Sequence, residues 1–138
     1  RYEIQLENYS KIINIEALTT LDMAKKDIVP AVVKYLKLLA DSASVMKSVD
    51  SEICTCAETE LLKKLSALLT DFTKKIDVLD KAVVGAKDYT DVQELANYYR
   101  NSVFVAMQEL RAVADEMESN MSAEYWPYPS YGKLLFSV

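Results

Sequence analysis

Residues 2–45 read YEIQLENYSKIINIEALTTLDMAKKDIVPAVVKYLKLLADSASV, and this stretch decides the fold. Apolar side chains recur along it in steps of three and four residues, the spacing that places side chains on one face of an α-helix. The stripe comprises Leu6, Tyr9, Ile13, Ala17, Leu21, Ala24, Ile28, Val32, Tyr35 and Leu39. The pattern predicts one long amphipathic helix over about residues 2–45, with this stripe facing the core.

Pro30 is the irregular feature of that helix. A proline in a helix interior costs about 3 kcal/mol because it lacks an N–H and its ring clashes with the preceding turn. The apolar stripe nevertheless continues to Leu39, so we expect a kink at Ile28 to Pro30. A complete break is the alternative, since the residue before a proline is biased away from helical geometry.

The composition favours a single all-helical domain. The chain has 138 residues, of which 51% are hydrophobic, and it contains only two glycines and three prolines. The net charge is −5 and the lysines alternate with acids, so no basic face is available for nucleic acid.

The sequence has no apolar run of about 18 residues and no signal-peptide pattern, so we expect a soluble, cytoplasmic protein without membrane contact. Because the helical pattern is already under way at Tyr2 and no initiator Met precedes it, we interpret the chain as a fragment of a longer protein.

The same periodicity predicts two further helices, over about residues 52–86 and 91–121. The stripe of the second comprises Ile53, Ala57, Leu61, Leu65, Leu68, Phe72, Ile76, Leu79 and Val83. That of the third comprises Val92, Leu95, Ala96, Tyr99, Val103, Ala106, Leu110, Val113, Met117 and Met121. Short connections make sequential helices antiparallel neighbours. The predicted fold is therefore an all-α, antiparallel up-down-up three-helix bundle with a long kinked first helix, in one domain over residues 1–138.

Polar residues between the stripes predict where the helices begin and end. Residues 42–51 form the first connection, with Asp50 or Ser51 as the N-cap of the second helix. Gly85 lies where that helix unwinds. Thr90 is the predicted N-cap of the third helix, because Gln93 stands three residues later as in a capping box.

The first helix is expected to project beyond the other two. At about 1.5 Å per residue it is roughly 66 Å long, against about 52 Å and 46 Å for the others. Its first residues, Tyr2, Ile4 and Leu6, are therefore candidate interface residues, since exposed apolar ends seek partners.

The sequence contains no recognisable catalytic, cofactor or metal site. It has no histidine, and its two cysteines, Cys54 and Cys56, fall about 200° apart around a helix that starts at residue 52. We therefore expect no disulfide between them and interpret them as buried or half-buried free thiols. Glu16 lies among isoleucines but lacks a converging second carboxylate. No catalytic, cofactor-binding or metal-binding residue is predicted.

An aromatic cluster in the third helix offers a further candidate interface. Tyr99 belongs to the core stripe, whereas Tyr98 and Arg100 point away from it. Aromatic residues and arginine dominate binding hot spots. Core packing is the leading interpretation of the cluster, and contact of Tyr98 and Arg100 with a partner is the alternative.

The C-terminal segment, residues 124–138, reads EYWPYPSYGKLLFSV and is not helical. Its two prolines predict an extended course, and Trp126, Tyr128 and Tyr131 make it a strip that must dock. We expect Trp126 to pack on the bundle itself, close to Ile53 and the end of the first helix. Docking of the tail on another region or subunit is the alternative.

This tail, with its Tyr-Trp-Pro-Tyr-Pro-Ser-Tyr-Gly run followed by Leu-Leu-Phe, resembles the C-terminus of the bacterial type III glutamine synthetases. Residues 1–18 and 107–116 are similar to the helical C-terminal region of the same family. The resemblance implies a parent enzyme that joins ammonia to glutamate with hydrolysis of ATP, using Mg or Mn ions, in a large cytoplasmic ring oligomer.

None of the family's ATP, metal or glutamate motifs matches a position in this chain. The resemblance thus implies an accessory C-terminal helical domain with a structural or assembly role. Its expected partners are the upstream catalytic region and other subunits. A free-standing helical adaptor or coiled-coil interaction module is the alternative, and it explains the bundle but not the aromatic tail.

Overall fold

The computed structural model describes residues 1–129, and this part of the chain is all-helical without a β-strand. Three helical stretches, residues 2–49, 56–88 and 92–119, account for most of it, which confirms the predicted fold class. Within residues 1–129 no helix is both long and apolar enough to span a membrane. The elements are α1 (Tyr2–Met23), a π-helical turn (Ala24–Ile28), α2 (Val29–Val49), α3 (Cys56–Gly85), a 3₁₀ turn (Ala86–Asp88), α4 (Val92–Tyr98), a π-helical turn (Tyr99–Val103) and α5 (Phe104–Ser119).

The first helical stretch runs without interruption past Pro30. Its irregularity is the π-helical turn Ala24–Ile28, and Pro30 follows within the first turn of α2. A π-helical turn shifts the hydrogen-bond ladder by one residue, so the proline lies where a missing N–H and a bulky ring are tolerated. The complete break considered from the sequence does not occur.

The first connection is shorter and later than predicted. α2 continues to Val49, because Met46 lies seven residues beyond Leu39 and extends the inward stripe, so the predicted connection over residues 42–51 was wrong. Asp50 does not cap the next helix; its carboxylate accepts a hydrogen bond from the backbone N–H of Glu52 at 2.9 Å and closes a turn. The N-cap of α3 is Thr55.

The third helical stretch begins one residue later than predicted. Asp91, not Thr90, is the N-cap, and its carboxylate accepts a hydrogen bond from the backbone N–H of Glu94 at 3.0 Å. A carboxylate at this position also compensates the positive end of the helix dipole, which a threonine hydroxyl does not. The stretch ends at Ser119, and Met121 is half-buried beyond it.

The predicted stripes form one core between the three stretches. α1 packs against α4, α2 against α3, and α3 against α5. Ala57 is the exception to the stripes and is exposed, because α3 begins only at Cys56. Met107, absent from the predicted stripe, is fully buried. The largest fully buried side chains are Val32, Leu65, Phe72, Leu79, Val103, Met107, Leu110 and Met117.

The end of the bundle that projects is the connection between α2 and α3, not the start of α1. No residue from 40 to 64 is buried, so this end is a two-helix hairpin that lies beyond the three-helix core. At the start of α1, the hydroxyl of Tyr2 donates a hydrogen bond to Gln93 Oε1 at 3.0 Å. The start of α1 therefore lies beside α4, and the predicted overhang there was wrong.

Gly85 allows a close approach between α3 and α4. α3 ends at Gly85, where the sequence predicted that the helix unwinds, and the φ angle of Gly85 is −62°, so its backbone is helical and not left-handed. A Cβ atom at this position would overlap the hydroxyl of Tyr98. That hydroxyl donates to the carbonyl oxygen of Ala82 at 2.6 Å, and the Tyr98 ring stacks on Tyr89 with 4.6 Å between centroids.

Candidate interface surfaces and tail segment

The start of α1 presents two of the three predicted interface residues to solvent. Tyr2 is 63% exposed and Ile4 is 61% exposed. Leu6 is half-buried and packs towards the bundle. Tyr2 and Ile4 thus remain accessible to a partner, although Tyr2 is also held by Gln93.

A second apolar stripe continues along the solvent side of α1. Ile12 is 54% exposed, Ile15 62% and Leu18 49%. At 3.6 residues per turn these residues and Ile4 fall within an arc of about 120° opposite the core stripe. We call Ile4, Ile12, Ile15 and Leu18 the outer face of α1. Four large apolar side chains on one exposed face mark an interaction surface rather than the scatter expected on any protein.

Apart from Ile4, the outer face of α1 was not predicted from the sequence, although the signal was present. The helix carries two apolar stripes on opposite sides, and only the longer, more regular one was assigned to the core. A helix that is apolar all round is buried on all sides. The second stripe of α1 is a weaker form of that pattern, and it indicates a surface that a further element can cover.

Tyr98 faces α3 and not a partner. It is half-buried, and its hydroxyl is held by the carbonyl oxygen of Ala82. Burial raises the pKa of Tyr98, and the neighbouring Tyr89 and Asp88 raise it further. The hydroxyl of Tyr98 is therefore not free for a partner, because Gly85 lets it reach the α3 backbone, whereas contact of the half-exposed ring with a partner stays a prediction.

Arg100 and Tyr99 lie where the sequence placed them. Tyr99 is buried at 7% exposure, and burial raises the pKa of its hydroxyl. Arg100 is exposed, and its guanidinium carbon lies 5.9 Å from the ring centroid of Tyr9. This cation–π contact joins α1 to the π-helical turn of the third stretch.

The first residues of the tail form turns and are not extended. The backbone N–H of Tyr125 donates to Ser122 at 2.9 Å, and that of Trp126 to Ala123 at 3.3 Å. The prediction of an extended course was therefore wrong for these residues. The remainder of the predicted tail, including Tyr131, lies outside the described residues.

The tail meets the middle of the first helical stretch, far from Ile53. The ring centroid of Tyr125 lies 5.3 Å from that of Tyr35, and Pro127 lies beside Pro30. The predicted position near Ile53 was wrong because the hairpin between α2 and α3 projects past the end of α5.

Trp126 and Tyr128 lie partly buried against the core. The hydroxyl of Tyr128 donates a hydrogen bond to Asp27 Oδ2 at 2.7 Å. Burial, followed by this hydrogen bond, raises the pKa of Tyr128 far above its ordinary value. Trp126 and Tyr128, together with Phe72 and Leu110, line a cleft of about 380 Å³ between α1, α5 and the tail.

The two cysteines are neighbours in space and exposed. Cys54 precedes α3 and Cys56 is its first residue, and their Sγ atoms lie 2.6 Å apart. The predicted 200° separation and the predicted burial were both wrong, since they assumed a helix that already runs at residue 52. Among residues 1–129 no three His, Cys, Asp or Glu side chains gather as a metal site.

Comparison with known proteins shows similarity to one enzyme family. Residues 1–47 match the family model described as "Glutamine synthetase C-terminal domain". A glutamine synthetase of Butyrivibrio fibrisolvens is 39% identical over 138 residues, which is 100% of this chain and 20% of that protein. Over its whole length this chain is similar to part of a glutamine synthetase, and its first 47 residues are similar to the C-terminal domain of that family.

Two further glutamine synthetases align over nearly the whole domain. The Bacteroides fragilis (strain YCH46) enzyme is 28% identical over 141 residues, and the type-3 glutamine synthetase of Dictyostelium discoideum is 29% identical over 140. Each alignment covers 99% of this chain and 19% of the relative, so the chain spans about a fifth of the length of the curated relatives it matches. The resemblance inferred from the tail and the helices is confirmed, and the outer face of α1 lies entirely within residues 1–47.

Proposed function

We propose that this glutamine synthetase C-terminal domain is an accessory domain with a structural or assembly role. It docks through the outer face of α1 on the remaining part of the same enzyme and on its other subunits. The observation that carries the proposal is the row of four exposed apolar side chains on α1, within the residues that match the family model. Fully burying such a side chain contributes about 1.5–3 kcal/mol, so completing the burial of four half-exposed ones contributes roughly 4 kcal/mol.

The domain serves as a rigid platform for this docking. We infer an up-down-up bundle whose first stretch bends at the π-helical turn. The pairs Tyr2 with Gln93 and Tyr9 with Arg100 support a parallel course of the first and third stretches. The ion pair of Lys25 with Asp80 at 2.7 Å brings the late part of α3 beside the end of α1, as an antiparallel second stretch requires.

The chemistry belongs to the rest of the enzyme. The family implies ligation of ammonia to glutamate with ATP and Mg or Mn ions in a cytoplasmic oligomer, and we assign none of these ligands to the present residues. The 138-residue chain alone should therefore lack synthetase activity and bind neither ATP nor Mn²⁺. Calorimetric titration checks this, and stoichiometric nucleotide binding at micromolar affinity would refute it.

Docking is tested by reconstitution with a relative. The Butyrivibrio fibrisolvens enzyme is truncated before the region that aligns with this chain and mixed with the purified chain. Size-exclusion chromatography with light scattering should show co-elution. The double variant Ile12→Glu/Ile15→Glu should lose co-elution while keeping its helical circular dichroism, because two charges then replace the centre of the docking face.

The double variant Val78→Glu/Val84→Glu is the matched control. Val78 is 49% exposed and Val84 is 59% exposed, and both lie on α3, so the two substitutions add the same charge outside the outer face of α1. The control should co-elute like the unmodified chain. Equal loss in both variants, or no co-elution of the unmodified chain, would contradict the docking role.

A further inference from the structure

Cys54 and Cys56 form a dithiol at the exposed end of the hairpin between α2 and α3. Their Sγ atoms are 2.6 Å apart, against a disulfide bond length of about 2.05 Å. Both residues are exposed, and no residue from 40 to 64 is buried, so soluble thiol reagents can reach the pair. Nothing in the synthetase reaction uses these two groups.

The local geometry allows the two sulfur atoms to join without breaking the helix. Cys54 lies outside α3, and the N-cap residue Thr55 makes no side-chain capping hydrogen bond that closure would break. The preceding turn is held separately, by Lys47 Nζ donating to the carbonyl oxygen of Ser51 at 3.0 Å. A bond between the sulfur atoms therefore breaks no side-chain cap of α3, and Cys54 lies outside the helix.

The two thiols are not equivalent. The hydrogen bond between the two thiols, and then that from the Cys56 backbone N–H, lower the pKa of Cys54. The same hydrogen bond raises the pKa of Cys56. The positive charge of Lys47 lowers the pKa of both thiols, whereas Glu58 opposes it at Cys54 and Glu60 at Cys56. Because the thiolate is the nucleophile in disulfide exchange, Cys54 is the thiol that attacks first.

We propose that Cys54-Thr55-Cys56 is a reversible redox site that forms an intrachain disulfide by exchange with a small disulfide of the glutathione type. The Cys54 thiolate attacks one sulfur of the oxidant, forms a mixed disulfide and releases one thiolate, which takes up a proton. Cys56 then loses its proton and attacks the sulfur of Cys54, which expels the second small thiol. The two protein thiols are oxidised, one small disulfide is reduced to two thiols, and an excess of reduced thiol reverses the sequence.

The test incubates the 138-residue chain in buffers with graded ratios of oxidised to reduced glutathione, followed by acid quenching, alkylation and intact-mass measurement. The expected product has lost both alkylatable thiols and two hydrogen atoms, and it carries no glutathione. Added reduced glutathione should restore both thiols.

Two single variants separate the steps. Cys56→Ser should accumulate the glutathione adduct on Cys54, because no second thiol resolves it. Cys54→Ser should accumulate the adduct on Cys56, because it also lacks a resolving thiol and because the Cys54 contacts that raise the pKa of Cys56 are absent from this variant. Circular dichroism verifies that both exposed substitutions leave the helices intact.

Three outcomes would overturn the proposal. One is a chain that accumulates the adduct as Cys56→Ser does. Another is oxidation that yields a disulfide-linked dimer. The third is a chain that keeps both thiols at ratios that modify Cys56→Ser. A glutathione adduct found on Cys56 and not on Cys54 in early acid-quenched samples of the unmodified chain would overturn the assignment of Cys54 as the attacking thiol.

Discussion

Replacement of Gly85 by alanine tests the close approach between α3 and Tyr98. Helix propensity alone favours alanine over glycine by up to about 1 kcal/mol. Alanine can also adopt the φ angle of −62° that Gly85 has. The new Cβ, however, overlaps the Tyr98 hydroxyl and displaces it from Ala82. The lost hydrogen bond costs about 1 kcal/mol and the disturbed stack on Tyr89 about 1 kcal/mol more. We expect the free energy of unfolding to fall by about 1 kcal/mol.

The same substitution should stabilise the protein once the hydroxyl is gone. In a Tyr98→Phe background the nearest ring carbon lies 3.4 Å from the new Cβ, an ordinary contact. Gly85→Ala should then raise the free energy of unfolding by up to about 1 kcal/mol. The effect changes sign between the two backgrounds, which gives a coupling energy of about 2 kcal/mol, within the range for residues in contact.

Urea unfolding of the four proteins, followed by far-ultraviolet circular dichroism, measures this coupling. Where the dependence of the unfolding free energy on urea concentration is the same in two variants, the shift of the unfolding midpoint between them reports the change in stability. If Gly85→Ala stabilises both backgrounds equally, the contact with Tyr98 does not explain the glycine.

Three other side chains give independent tests. Trp126→Ala should lower the free energy of unfolding by about 2 kcal/mol, less than the roughly 3–5 kcal/mol for fully buried aromatics, because Trp126 is half-buried. The fluorescence of Trp126 in the native chain should be blue-shifted and resist quenching by iodide. Water-like emission together with an unchanged melting temperature in Trp126→Ala would refute this. Asp91→Ala should cost about 1 kcal/mol in urea unfolding through loss of the N-cap bond to Glu94, whereas Asp91→Ser should retain most of it. Burial, and then Asp27, raise the pKa of Tyr128 in the folded protein above its unfolded value of 10. The contribution of the neutral Tyr128 hydroxyl to folding stability is therefore full below about pH 10 and is lost as the pH rises towards the folded pKa. The native chain should accordingly lose stability above that pH more steeply than Tyr128→Phe, and parallel profiles would contradict the hydrogen-bonded burial.

The three core stripes followed from sequence because burial within a helix obeys its period. Positions such as Ala17, Leu65 and Phe72 are fully buried as the spacing predicted. The outer face of α1 could not be assigned in the same way. Its apolar residues are exposed in the described residues 1–129, and we propose that their pattern reflects a docking partner.

Errors at helix ends changed the interpretation of individual side chains. A helix start at residue 52 placed Cys54 and Cys56 on opposite sides, whereas a start at Cys56 places their sulfur atoms together. The tail shows the same dependence on local hydrogen bonds. Proline fixes its own φ angle, but the turn at Tyr125 and Trp126 arises from bonds to residues that precede the prolines.

Photo-crosslinking tests the docking of α1 most directly. A benzophenone amino acid replaces Ile15 in the chain, or Val84 as the control, and each protein is irradiated with the truncated Butyrivibrio fibrisolvens enzyme. The docking proposal predicts a covalent adduct to that enzyme from position 15 and little from position 84. Crosslinking from position 84 alone, or none from position 15 in a complex that co-elutes, would contradict it.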